Sequence, residues 1–119
     1  MNKFLKGFLY AWKGILYAFS TQINFKFHTF FAIVVIALGW FLKLNLNEWL
    51  WIATAIGLVI VAELFNTALE VLVDLVSPNY HPKAGIIKDL ASAAVLLTAI
   101  VAAIIGLCIF FPKVMLYAS

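Results

Sequence analysis

Long apolar stretches dominate the chain, and charged residues interrupt them at only a few points. Leu90–Pro112 contains no Lys, Asp or Glu. As a helix it meets the roughly 20 residues needed to cross about 30 Å of hydrocarbon. Pro112 reads as its stop. Phe27–Leu42, between Lys26 and Lys43, is shorter, but Lys43 can snorkel and let that helix run on to Leu46. The stretch from Glu48 to about Val76 is longer than a span needs, so its last turns are expected among the headgroups. Trp49 and Trp51 open it as interfacial anchors. Pro78, Asn79 and Pro82 then break the helix into a short loop. The pattern predicts an all-α membrane protein with transmembrane helices over 27–46, 49–76 and 89–111, within one domain covering 1–119.

The first 22 residues follow a different pattern. On a helical wheel, Lys3, Lys6, Tyr10, Lys13 and Tyr17 fall within an arc of about 80°. Phe4, Leu5, Phe8, Leu9, Trp12, Ile15, Leu16 and Phe19 take the opposite side. This predicts an amphipathic helix lying in the membrane surface. A cleaved signal peptide is the rival, but Lys13 interrupts its apolar core and a small-residue cleavage site is missing.

Composition agrees. Hydrophobic residues make up 66% of the 119 and charged residues 11%, where soluble domains run at about 45–50% and about 25%. So little charge cannot coat a small soluble domain, and so much apolar surface excludes disorder. Cys108 is the only cysteine, which excludes a disulfide scaffold. The net charge of +3 comes from eight scattered lysines that form no basic patch, so no nucleic-acid partner is expected. Lys3, Lys6, Lys13, Lys26, Lys83 and Lys88 fall on one side of a three-span topology, and Lys43 and Lys113 on the other. By the positive-inside rule the first side faces the cytoplasm.

The scarce acids carry the chemistry. Glu63, Asn66, Glu70 and Asp74 share one helical face, within an arc of about 80°. The row is about 16 Å long. Ionisable groups at membrane depth are costly and functional by default. Across the loop, Lys88 and Asp89 open the third span at the same level, and Ser92 lies one turn deeper among small alanines that allow close helix approach. Several oxygen ligands and a lysine suit Mg²⁺ and phosphate, with the metal held by one or two carboxylates plus nucleotide oxygens. A deeper carboxylate suits a general base acting on a hydroxyl at the interface. No Walker or kinase Gly-rich loop is present, so any nucleotide site is built from helix faces and the short loop.

Simpler readings compete with this one. A lone Glu in a span is often just the partner of a Lys on a neighbouring helix, but three acids and an Asn on one face count against that. A proton or ion channel would need ionisable groups across the whole membrane. Nothing acidic lies between Glu48 and Glu63, so the outer half looks sealed. His28 reads as an interfacial anchor. His81 reads as a loop residue that contacts a nucleotide or faces water. Two histidines without a nearby Cys do not make a structural zinc site. Cys108 reads as an inert apolar-facing residue.

The run Glu63-Leu-Phe-Asn66-Thr-Ala-Leu-Glu70-Val-Leu-Val-Asp74, then His81, then Lys88-Asp89-Leu-Ala-Ser92-Ala-Ala-Val, resembles the signature of the small prokaryotic diacylglycerol kinases, which include the Gram-positive undecaprenol kinases. Trp12-Lys13-Gly14 and the Asn24…His28 stretch match as well. The resemblance covers nearly the whole chain. It implies a homotrimer in the bacterial inner (cytoplasmic) membrane that transfers the γ-phosphate of ATP to a lipid hydroxyl and requires Mg²⁺. The lipid would be diacylglycerol, giving phosphatidic acid, or undecaprenol, giving undecaprenyl phosphate. Carried over by position, Glu63 is the catalytic base at the lipid hydroxyl and Glu70 a metal ligand that also lies at the nucleotide. Lys88 and Asp89 match nucleotide positions, as do Asn79, Tyr80 and His81 in the loop and Tyr10 in the surface helix. Lys3 stands where some members have Arg. Ser92 matches a lipid-substrate position, and Asn66 and Asp74 support the site.

One departure concerns the metal. Where the family usually has a Glu as second metal ligand, this chain has Gln22. An amide oxygen still coordinates Mg²⁺ but brings no charge. Weaker metal affinity, greater reliance on the ATP phosphates, or reduced activity is the expected consequence. The alternative function is a small oligomeric channel or transporter subunit. Three short spans can hardly enclose Glu63, Glu70, Asp74, Lys88 and Asp89 without a neighbouring chain, which supports an oligomer.

Overall fold

The computed structural model describes residues 2–119 and contains four helices among them: α1 (Lys3–Thr21), α2 (Ile23–Phe41), α3 (Leu46–Val76) and α4 (Pro82–Ala118). Helices α2, α3 and α4 are each long and apolar enough to cross a membrane. The dominant packing is between α3 and α4, which the short loop joins; α2 lies against α3, and α1 touches both α2 and α3.

Local chemistry sets the helix ends. Asn2 caps α1 by accepting the Leu5 N–H at 2.9 Å. Gln22 breaks the chain with an extended backbone (φ −112°, ψ 114°). Its N–H donates to the Ala18 carbonyl at 2.9 Å, and its own carbonyl accepts from the Lys26 N–H at 3.2 Å. One residue therefore closes α1 and opens α2. Asn45 and Glu48 form a reciprocal capping box at the start of α3. His81 caps α4 through Nδ1, which accepts the Lys83 N–H at 3.1 Å, and Pro82 takes the first helical position.

The three spanning helices begin earlier than expected, at Ile23, Leu46 and Pro82 rather than at 27, 49 and 89. Lys88 and Asp89 therefore lie in the second turn of α4 rather than at its start, and two C-terminal ends differ as well. Helix α2 stops at Phe41 rather than running on to Leu46. Lys43 adopts a left-handed backbone (φ 58°). The Leu44 N–H donates to the Gly39 carbonyl at 3.1 Å and the Lys43 N–H to the Trp40 carbonyl at 3.3 Å. These are the paired bonds of a Schellman stop. In contrast, Pro112 does not end α4, which continues to Ala118. Proline removes one backbone bond, while every other polar backbone group in apolar surroundings is still best satisfied by staying helical.

The buried side chains of α3 include Ile52, Ala55, Val59, Glu63, Asn66 and Val73. Their spacing of three or four, with one step of seven, places them on one face. The deep end of the acidic row, Glu63 and Asn66, therefore lies on the packing face of α3, while Glu70 is half-buried and Asp74 exposed. Ala91 and Val95 are the buried residues of α4. Most large apolar side chains point outward, Trp40 at 80% and Leu75 at 78% exposure among them. In water that surface would be prohibitive; against lipid or a neighbouring helix it is favourable.

Candidate active site

Among the described residues Glu63 is the largest fully buried side chain, with 1% of its surface exposed. One turn on, Thr67 is also buried, and its hydroxyl donates to the Glu63 carbonyl at 2.9 Å. The carboxylate faces α2, where His28 Nε2 lies 3.3 Å from Glu63 Oε1. The alignment is not that of a hydrogen bond, so Oε1 is left without one. Sequence reasoning placed His28 at the interface as an anchor and missed this contact. The available signal was the Asn24…His28 stretch, which had no assigned role.

Asn66 is buried one turn beyond Glu63. Its Nδ2 donates to Glu70 Oε1 at 3.2 Å, and its own Oδ1 has no partner. Two buried polar atoms, Glu63 Oε1 and Asn66 Oδ1, thus lie without hydrogen bonds on the same helix face. Such groups cost free energy unless something binds them. Glu70 is half-buried. Among the described residues its carboxylate makes no hydrogen bond beyond that to Asn66.

At the loop end of the row, Lys88 Nζ donates to Asp74 Oδ1 at 2.6 Å, joining α4 to α3. Asp89 is exposed beside it, as is Ser92 a turn deeper. In the loop, Asn79 is exposed, Tyr80 is 90% exposed, and the Asn79 carbonyl accepts from the Ser77 hydroxyl at 3.1 Å. His81 and Lys83 edge a cleft of about 400 Å³ between the ends of α3 and α4, whose other walls include Leu69, Val73 and Ile87. Tyr10 and Lys3 are exposed on α1. Gln22 is half-buried at the α1–α2 break, and its side chain makes no capping bond. Among the described residues no hydrogen bond joins Gln22 to Glu70. Of the five charged groups expected to need enclosure, a single chain buries Glu63 and leaves Asp74 and Asp89 exposed.

A groove of about 540 Å³ runs between α2 and α4 over a floor of α3. Phe31 and Val35 line one wall, Ala99 and Ala103 the other, and Val59 the floor; the lining is almost wholly apolar. His28 also lines it and is its link to Glu63.

A buried carboxylate beside an apolar groove, with further acids and a lysine on the same helix pair, suits chemistry at the boundary between hydrocarbon and water. Comparison with known proteins specifies that chemistry. The sequence profile of the family described as prokaryotic diacylglycerol kinase matches residues 9–110. The undecaprenol kinase of Bacillus subtilis is 42% identical over 113 residues, covering 95% of this chain and 92% of that protein. A diacylglycerol kinase of Synechocystis is 46% identical over 112 residues, covering 93% of this chain and 64% of that longer protein. The diacylglycerol kinase of Escherichia coli K12 is 30% identical over 108 residues, covering 91% of this chain and 88% of that protein. Fold, site and relatives together define a bacterial membrane protein that acts as a lipid kinase. The chain belongs to the prokaryotic diacylglycerol kinase family. None of these relatives supports the channel alternative.

Proposed function

We propose that the protein transfers the γ-phosphate of ATP to the hydroxyl of a membrane lipid at the cytoplasmic face, with diacylglycerol or undecaprenol as the acceptor. The observation that carries this is the buried Glu63 carboxylate, held beside an apolar groove and at the deep end of a row of acids. Glu63 takes the proton of the lipid hydroxyl. The freed oxygen forms a bond to the γ-phosphorus while the bond from that phosphorus to the bridging oxygen breaks and ADP leaves. The apolar groove offers the lipid's hydrocarbon a surface like its own.

Glu70 and Gln22 would hold Mg²⁺. Among the described residues no group of three His, Cys, Asp or Glu side chains could hold a metal alone. One carboxylate and one amide fit an ion that takes its remaining ligands from phosphate and water. Bound Mg²⁺ supplies charge neutralisation for the phosphates. Lys88, Asp89, Asn79, Tyr80, His81, Tyr10 and Lys3 form the nucleotide side, and Ser92 the lipid side. Asn66 orders Glu70 through the hydrogen bond described above, and Asp74 orders Lys88.

Helix α1 lies in the cytoplasmic membrane surface, α2, α3 and α4 cross the membrane, and three copies associate. The outward apolar faces and the exposure of Asp74 and Asp89 support association. The deciding experiment incubates purified protein in mixed micelles with labelled ATP and diacylglycerol or undecaprenol. Transfer to one lipid is expected, together with its loss in Glu63→Gln while the fold is retained. Turnover by Glu63→Gln would remove the base assignment. Phosphate transfer to neither lipid would remove the acceptor assignment.

A further inference from the structure

We propose that His28 is the positioning residue for Glu63, holding the buried carboxylate in the orientation from which it takes the lipid proton. This rests on the reading of Glu63 as the base. Three observations carry it. First, Glu63 is 1% exposed, so water does not hold its carboxylate. Second, among the described residues His28 is the only basic side chain with a nitrogen within 4.0 Å of a Glu63 oxygen, and it comes from a different helix. Third, Glu63 Oε1 has no hydrogen bond of its own. Among the described residues the Nε2 contact at 3.3 Å is therefore the one ion-pair contact available to Oε1.

The position of His28 also fits the task. Its side chain is 21% exposed and lines the apolar groove, so it sits where a lipid chain would leave the hydrocarbon and its hydroxyl would meet Glu63. A small closure brings Nε2–H into line with Oε1, as catalytic hydrogen bonds often tighten only with substrate bound. Oε2 is then the oxygen left for the lipid hydroxyl. Displacing a base by about 1 Å can cost about 100-fold in rate, so loss of the imidazole should reduce turnover rather than ATP binding.

The test compares His28→Phe, His28→Ala and His28→Gln with wild type and Glu63→Gln in mixed micelles. Fold is checked by elution in detergent and kinetics by varying lipid and ATP separately. Phe keeps the ring without a nitrogen, and Gln keeps an N–H donor without the ring. In whichever of the Phe and Ala variants folds, kcat should fall at least about tenfold while KM for ATP stays within about twofold. Gln should recover most of the lost kcat. Equal kcat in the Gln and the donor-less variants overturns the proposal, as does a donor-less variant that keeps wild-type kcat. If Glu63→Gln is inactive while these His28 outcomes fail, only the positioning role is lost. If Glu63→Gln itself turns over, the base assignment has failed instead.

Discussion

Lys88 of α4 donates to Asp74 of α3 at 2.6 Å, so the lysine matched to the phosphates is already engaged by a carboxylate. Both side chains face solvent, at 41% and 66% exposure. Exposed pairs contribute about 0–1 kcal/mol, so the contact holds Lys88 in place more than it holds the fold together. Lys88→Met should therefore cost at most about 1 kcal/mol in stability. It should raise KM for ATP about tenfold or more, since a charge-assisted hydrogen bond contributes about 1.5–3 kcal/mol. Steady-state kinetics paired with thermal unfolding in detergent separates the two effects. An unchanged KM for ATP would exclude Lys88 from the nucleotide site.

Gln22 is the break between α1 and α2, and its side chain is not used in capping. It is therefore free to serve as a ligand, but a neutral one. Ligand charge tunes the affinity of oxygen sites for divalent ions. Gln22→Glu should lower the Mg²⁺ concentration giving half-maximal activity by several-fold and leave stability nearly unchanged, because its extended backbone suits either residue. A magnesium titration of the two proteins at fixed ATP checks this. Identical curves would place residue 22 away from the metal.

Much of this architecture was legible because apolar length and helical period are strong signals. The one-faced row from Glu63 to Asp74 is readable from its spacing, and its deep end, Glu63 and Asn66, lies on the packing face of α3. What escaped were features that depend on a partner from elsewhere in the chain. His28 is thirty-five positions before Glu63, and only helix packing brings them together. The end of α2 was misplaced because the stop uses a left-handed lysine where glycine is usual, so the sequence carries no obvious breaker. Pro112 misled in the opposite sense, as a breaker that apolar surroundings override.

Glu48 and Lys113 join the far ends of α3 and α4 at 3.1 Å, with side chains 20% and 26% exposed. Glu48 has a second task, because the same Oε1 accepts the Asn45 N–H at 3.0 Å in the capping box. Removing Lys113 deletes the bridge alone, while removing Glu48 deletes bridge and box together. Lys113→Met should cost at most about 1 kcal/mol, and Glu48→Ala about 1 kcal/mol more. Unfolding in mixed micelles gives the ranking. A Lys113 variant less stable than the Glu48 variant would mean that the bridge, not the box, anchors α3.

The turn after α2 makes two opposed predictions within five residues. A Cβ added at Gly39 would sit 2.8 Å from Leu44 Cδ1 and 2.8 Å from Trp49 Cη2. Leu44 is buried, so its side chain has little room to move aside. Gly39→Ala should therefore destabilise by about 1–3 kcal/mol, as overpacking does. Lys43 holds a left-handed backbone that costs an L-residue about 1–2 kcal/mol. Glycine removes that strain but loses about 0.5–1 kcal/mol in chain entropy. Lys43→Gly should thus gain about 0–1.5 kcal/mol, the balance of those two effects. Thermal midpoints in detergent should move in opposite directions for the two variants. A stabilising Gly39→Ala would show that Trp49 swings clear and that the close approach is not obligatory.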